Sequence, residues 1–165
     1  VRYYDVHMKA AGIIAEGLKQ LGLMKGDMGE AVQEGAHALF FPHGLGHMLG
    51  LDVHDMEDLG ENYIGYSDTL KRSQQFGTAY LRLAKELEEG YSITVEPGIY
   101  FIPVLAELWQ KEKRFNDFIC YEALKPYLNF GGIRIEDNIL VTKTGCRVLG
   151  KPIPKTPLEL EDLQG

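Results

Sequence analysis

A chain of 165 residues, 45% hydrophobic and 25% charged, can bury one ordinary core and has the composition of neither a disordered nor a membrane-spanning protein. Asp and Glu outnumber Lys and Arg 24 to 17, for a formal charge of -7, which excludes the basic face that nucleic-acid binding requires. No apolar run approaches a bilayer span and no signal-peptide pattern opens the sequence. The two cysteines, Cys120 and Cys146, form no CxxC pair and fit reduced thiols of a cytoplasmic protein better than a disulfide framework. The opening Val1-Arg2-Tyr3-Tyr4, without Met, suggests a fragment.

Residues 1–21 place Tyr3, Val6, Ala10, Ile13, Ile14, Gly17, Leu18 and Leu21 at three- and four-residue spacing, which predicts an amphipathic helix closed by Gly22. A second helix is expected from Asp27, with Glu30 completing a capping box and a stripe of Met28, Ala31, Val32, Gly35, Ala36 and Leu39. His7 and His37 fall in these helices, neither within a carboxylate–histidine constellation of its own, and read as surface or helix-packing residues. Pro42 and the glycines after it predict extended or looped chain. Residues 56–77 read as a polar loop, and 78–89 fit a helix by composition and a strand by alternation.

Ser92-Ile93-Thr94-Val95-Glu96 predicts a short strand with Ile93 and Val95 on one face and Thr94 and Glu96 on the other. Pro97-Gly98 stops it, and Ile99-Tyr100-Phe101 resumes it. Residues 102–130 read as an irregular insertion holding Trp109 and a solvated run, Lys111-Glu112-Lys113-Arg114. Gly131-Gly132 introduces a strand with Ile133, Ile135, Ile139 and Val141 on one side and Arg134, Glu136, Asn138 and Leu140 on the other. A turn at Lys143-Thr144-Gly145 predicts a hairpin to a last strand over 146–149. An extended Lys151-Pro152-Ile153-Pro154 follows, then a short helix begun by Thr156-Pro157-Leu158-Glu159.

Three of the five histidines lie in one stretch, Pro42-His43-Gly44-Leu45-Gly46-His47-Met48-Leu49-Gly50-Leu51-Asp52-Val53-His54-Asp55. Imidazole is the commonest metal ligand and a ready acid or base near neutral pH. A helical zinc motif is excluded, because Gly44 and Gly46 separate His43 from His47 and no Glu follows the first histidine. In extended chain His43 and His47 share a face, and His54 joins them only if Gly50 bends or bulges the chain. Gly44-Leu45-Gly46 is no dinucleotide fingerprint, since Leu49 stands in the third glycine's place. Glu96, on a strand otherwise made for burial, must be paired, protonated or metal-bound. The same holds for Glu136 beside Arg134, unless those two form a plain ion pair on an exposed face. Two strand carboxylates and a clustered histidine suit a divalent ion with mostly oxygen ligands.

His43-Gly44-Leu45-Gly46-His47 with Gly50-Leu51-Asp52-Val53-His54-Asp55, then Thr94-Val95-Glu96-Pro97-Gly98-Ile99-Tyr100, then Gly132-Ile133-Arg134-Ile135-Glu136-Asp137-Asn138, resembles the Xaa-Pro aminopeptidase and prolidase branch of the pita-bread metallopeptidases. Methionine aminopeptidases share that fold, but their histidine and glutamate motifs read differently. The resemblance runs from about residue 1 to the Pro-rich tail. It implies an α+β fold with a curved antiparallel sheet backed by outer helices, and a strand over 80–83. It also implies two divalent metal ions, usually Mn²⁺, on one His, two Glu and two Asp, with a bridging water or hydroxide. By the same resemblance His47 is the histidine ligand, Glu96 a ligand that also handles the proton of the nucleophilic water, and Glu136 the bridging ligand. His54 contacts the substrate near the scissile carbonyl, His43 is a second active-site histidine, and Arg134 supports Glu136.

The family's two aspartate ligands lie upstream of the first helix, and Asp5 and Asp27, at helix and cap positions, are poor substitutes. The expectation is one domain over 1–165, the C-terminal portion of a catalytic domain, with a Pro-rich tail and short helix over 150–165. Such a chain exposes a sheet edge and apolar surface and holds three of five ligands. The function the resemblance implies is removal of an N-terminal residue before proline from proline-containing peptides. The cysteines and charge add a cytoplasmic protein that engages neither nucleic acid nor membrane, and the exposed edge and apolar surface add a homo-oligomer, a dimer. Prolidase activity on Xaa-Pro dipeptides is the alternative, and a non-catalytic peptide-binding module the rival from another class. This chain alone is expected to bind metal weakly and to show little or no peptidase activity. An Xaa-Pro assay of it with excess Mn²⁺ checks this, and robust cleavage would contradict it.

Overall fold

A computed structural model of the chain describes residues 1–163, so the last two positions of the expected 150–165 tail lie outside the described residues. Helix α1 (Tyr3–Gln20) turns Tyr3, His7, Ala11, Ala15 and Leu18 inward at three- and four-residue steps. The buried face is rotated from the expected stripe. Val6, Ala10 and Ile14 only flank the core and Ile13 is exposed, because Ala11 and Ala15 are small enough to let the next helix approach. Gly22 follows the helix in the left-handed conformation expected of a C-terminal glycine.

Helix α2 (Met28–Glu34) starts where the Asp27 carboxylate accepts the Glu30 backbone N–H at 2.8 Å. It ends at Gly35, whose φ of +94° is left-handed, and the apolar stripe continues in a buried 3₁₀ turn, Ala36–Leu39. Residues 56–77 are more ordered than the polar loop expected there. They contain a 3₁₀ turn, Glu57–Leu59, and a short helix α3 (Glu61–Ile64). The strand expected over 80–83 does not form. Tyr80 and Leu81 close a 3₁₀ turn, donating to Gly77 and Thr78. The Ala84 and Lys85 N–H groups donate to the Gly65 carbonyl, and their own carbonyls accept from Tyr4 and Tyr3. The backbone of this segment is thus bonded to a loop and to the first turn of α1, not to a ladder.

β1 (Ser92–Val95) and β2 (Gly98–Tyr100) flank Glu96-Pro97. Helices α4 (Pro103–Lys111) and α5 (Tyr121–Leu124) follow, then β3 (Gly132–Arg134), β4 (Asp137–Thr142), β5 (Gly145–Val148) and α6 (Pro157–Glu161). One antiparallel sheet has the order β1-β4-β5, and a second pairs β2 with β3. The single strand expected across 133–141 is therefore two strands in two sheets. Opposite its break lies Pro97, which has no N–H to extend a ladder. The faces divide accordingly, with Ile133 exposed while Ile139 and Val141 pack against the core.

The 102–130 segment is not irregular. Trp109 on α4 is buried against Phe76 and Phe115, and the Arg114 guanidinium covers it 4.5 Å from the ring centre. Lys111, Glu112 and Lys113 are solvated, as expected. At the far side β5 is an exposed edge strand, and Phe130, Ile133, Val148 and Ile153 stay in solvent. The Thr156 hydroxyl and Glu159 carboxylate form the expected capping box of α6. Cys120 and Cys146 are free thiols. Among the described residues no helix is long and apolar enough to cross a membrane.

His7 and His37, open to a surface reading from sequence, are wholly buried. Burial pushes the His7 imidazole down to about 4, helped by His37 and His43, and pushes His37 down to about 4 against a weak pull from the Val32 carbonyl. The unfolded chain therefore takes up protons, near the ordinary histidine range and below it, that the folded chain refuses. Stability from each is present above the ordinary histidine range and lost as pH falls toward the folded value, up to about 3 kcal/mol apiece. The urea midpoint should fall steeply as pH is lowered from neutral, and replacing His37 by Phe should flatten that fall.

Candidate active site

Residues 45–49 run antiparallel along β1. Glu96 N–H donates to the Leu45 carbonyl at 2.8 Å, Thr94 N–H to His47 at 3.0 Å, and Leu49 N–H to Ser92 at 2.9 Å. Two glycines allow this approach. A Cβ on Gly46 would stand 2.1 Å from the Thr94 carbonyl oxygen, and one on Gly44 would stand 2.7 Å from Leu81 Cα. The Thr94 carbonyl also accepts the buried Tyr3 hydroxyl at 2.7 Å, which ties α1 to the same point.

Beyond Met48 the chain doubles back, with Gly50 N–H donating to Asp52 and Asp55 N–H returning to the Met48 carbonyl. This is the bend at Gly50 that His54 needed. The His54 ring meets the His47 ring edge to face, 4.2 Å between centres. His47 donates Nδ1–H to the Met48 carbonyl at 2.9 Å and aims Nε2 at Glu96 Oε1, 3.2 Å away. The Thr94 hydroxyl accepts His47 N–H at 3.0 Å and donates to the same Glu96 oxygen at 3.0 Å. Glu96 Oε2 faces Arg134 Nη1 at 3.5 Å, and Arg134 Nη2 stands 3.9 Å from Glu136 Oε2.

The Glu96 side chain is only 12% exposed, so its charge depends on these partners. Burial alone would push its carboxyl up. The hydrogen bonds from His47 and Thr94, with the Arg134 charge, outweigh burial and hold it below the usual range. Burial likewise opposes the charged form of His47, but the Glu96 hydrogen bond and the Met48 carbonyl raise it above the ordinary value. Each side chain thus favours the charged form of the other in the metal-free chain.

His43, His47, His54, Glu96 and Arg134 line one open cleft of about 390 Å³. His43 sits between the rings of Phe41 and Tyr100, its Nδ1–H donated to the Gly44 carbonyl at 2.7 Å; burial lowers its pKa. Glu136 does not line the cleft. The paired registers Val95–Asp137 and Gly98–Arg134, counted inward, set Glu96 opposite Glu136 and Pro97 opposite Ile135. Two carboxylates facing each other across strands repel unless a cation lies between them. Arg134 reaches both, and a divalent ion suits the same donors, with the His47 imidazole adjacent. Among the described residues no group of three His, Cys, Asp or Glu side chains is close enough to hold a metal by itself. Asp5 pairs with Arg2 and Asp27 caps α2, so neither enters the cleft.

Sequence reading missed the opposite wall. Arg82 bonds to Glu57 and, at 3.1 Å, to Glu61; Arg72 holds Glu61 at 2.6 Å, and Tyr80 stands beside them. Glu57 also lies 3.9 Å from His54 Nδ1, which links this wall to the histidine loop. These residues come from short turns, the brief helix α3 and the loops between them, too short to show a period, and charge alone did not mark them.

The profile of metallopeptidase family M24 matches residues 1–143. A probable Xaa-Pro aminopeptidase of Sordaria macrospora is 40% identical over 99% of this chain and 33% of its own length. An Xaa-Pro dipeptidase of Rattus norvegicus is 40% identical over 95% of the chain and 30% of its own length. Among solved structures, proline aminopeptidase P II from Yersinia pestis superposes with a TM-score of 0.67 at 33% identity, over 99% of this chain and 29% of that one. Zn-substituted aminopeptidase P of E. coli in complex with product gives 0.65 at 32%, over 99% and 29%. The chain belongs to metallopeptidase family M24 and has the α+β pita-bread fold of these aminopeptidases. It spans about a third of the length of the curated relatives it matches.

If Glu96 sustains the charge on His47, the His47 imidazole of the metal-free Glu96→Gln protein should titrate at lower pH than in the parent. An NMR titration reads this directly, and an unchanged midpoint would show that the pair does not form.

Proposed function

We propose that this chain carries part of the active site of a metal-dependent exopeptidase that releases the N-terminal residue of peptides with proline next. The observation that carries the reading is the line His47–Glu96–Arg134–Glu136, drawn across the parting of the two sheets beside a cleft that also holds His43 and His54. The relatives named Xaa-Pro aminopeptidase support the substrate class. His47, Glu96 and Glu136 would hold metal, with further donors from outside the described residues. Bound divalent ions, Mn²⁺ by the resemblance, supply Lewis acidity and a water of lowered pKa.

The chain's own groups do the rest. Glu96 takes and returns the proton of the attacking water, its carboxylate kept ionised by His47, Thr94 and Arg134. Arg134 holds the facing carboxylates at a fixed separation. His54, edge-on to His47, meets the substrate near the scissile carbonyl, and His43 flanks the cleft. A cytoplasmic homo-oligomer, in keeping with two free thiols and the apolar surface around β5, completes the proposal.

A second reading, Xaa-Pro dipeptidase, is favoured by the rat relative of that name at the same 40% identity. The full-length protein with Mn²⁺ should be assayed on an Xaa-Pro dipeptide and the matching tripeptide. Release of the N-terminal residue from the tripeptide is expected. Cleavage of the dipeptide alone would select prolidase. Cleavage of neither, with less than one divalent ion per chain, would select a non-catalytic binding module. In the active enzyme Glu96→Gln should lower kcat by roughly 10²–10⁴-fold, the usual contribution of a positioned acid–base group.

A further inference from the structure

Behind His43 the core buries two histidines that the peptidase reading leaves without a task. His7 on α1 and His37 in the 3₁₀ turn are both 0% exposed. Neither ring nitrogen of His7 has a hydrogen-bond partner among the described residues, and the same is true of His43 Nε2, while His37 has only the weak pull of the Val32 carbonyl. The rings form a column. His7 packs on Phe41 at 5.4 Å between centres, Phe41 meets His43 edge to face at 4.9 Å, and His43 meets Tyr100 at 5.3 Å. The column runs from the inner face of α1 to β2, and His43 is its member at the cleft.

Interiors leave few polar atoms unpaired, and each one left so costs about 1–3 kcal/mol. Three unpaired nitrogens on His7 and His43, joined through Phe41, therefore need an explanation that a packing role does not supply. The chemistry of His43 indicates one. Its Nδ1–H is given to the Gly44 carbonyl, so the neutral ring turns a bare Nε2 lone pair inward, where only a donor can satisfy it. A neutral buried imidazole offers one donor and one acceptor, and a buried water with two to four polar partners can join such rings.

We propose that His7 is a positioning residue for His43: with His37 it holds a buried water that donates to His43 Nε2, and so fixes His43 in the Nδ1-protonated tautomer with its ring set against the cleft. The partner of the second imidazole nitrogen decides tautomer and ring orientation, as it does for metal-bound histidines. The effect on catalysis rests on the peptidase reading; the tautomer and the water do not.

The test uses the full-length protein, with ring-¹⁵N histidine spectra recorded metal-free and kinetics on an Xaa-Pro tripeptide recorded with Mn²⁺. The parent should show His43 protonated at Nδ1 and accepting at Nε2. His7→Phe keeps an aromatic ring but offers no donor. It should shift the His43 Nε2 resonance or set the tautomers exchanging, and should lower kcat about tenfold with KM unchanged. His7→Gln, which restores a donor, should recover most of both. An identical His43 spectrum in the parent and His7→Phe would overturn the proposal. If His7→Phe does not fold, a high-resolution crystal structure of the parent decides. An ordered water within hydrogen-bond distance of His43 Nε2 and a nitrogen of His7 or His37 supports the proposal, and a dry interior there overturns it. A parent that cleaves no Xaa-Pro peptide overturns the peptidase reading alone, because the spectrum and the water still decide the role of His7.

Discussion

Pro97 has no N–H to give, and although its carbonyl still accepts the Ile135 N–H at 3.2 Å, the regular ladder of the second half of the chain is interrupted there between two sheets. The register is the same on both sides of the parting, so Glu96 and Glu136 are brought face to face where neither belongs to a strand. Side chains at such a point are released from the strict alternation of a ladder and can converge on a common space. The remainder of the site follows from satisfying the Glu96 carboxylate there. Thr94 and His47 take one oxygen, Arg134 faces the other, and Arg134 in turn meets Glu136.

The histidine loop is the second half of that arrangement. It is held on β1 by three backbone hydrogen bonds, and these form only because Gly44 and Gly46 present no Cβ to Leu81 and Thr94. The glycines thus serve close approach, not an unusual φ. Tyr3 anchors α1 to the Thr94 carbonyl, so the longest helix, the histidine loop and the glutamate strand share one attachment. Through α1 the column of His7, Phe41 and His43 connects the packing of the core with the geometry of the cleft.

Much of this architecture was legible in local pattern. The two first helices, their Asp27 cap and Gly22 end, the capped terminal helix and the hairpin turn at 143–145 rest on neighbours within a few positions, which a linear sequence displays. Thr94 and Glu96 share a face, as period-two alternation requires. The failures share a cause as well. Residues 80–83 alternate like a strand, yet the backbone just beyond them is bonded to Gly65 and the start of α1. The 102–130 segment lacks a clear period, yet α4 forms because Trp109 has Phe76 and Phe115 to pack against. Glu57 and Glu61 reach the cleft side from a 3₁₀ turn and the four-residue α3, and Arg72 and Arg82 from loops, all too short for a repeat to announce them.

What the sequence by itself determined are the residue types and short spacings of the site: clustered imidazoles, glycines between them, and two carboxylates on strands. Their motifs were enough to name the family. Tertiary structure alone decided that His47 faces Glu96, that Glu136 stands opposite Glu96 but outside the cleft, and that His7 and His37 are interior. Each of these depends on contacts between residues tens of positions apart. Burial, charge pairing and register are properties of those contacts, and no local pattern encodes them.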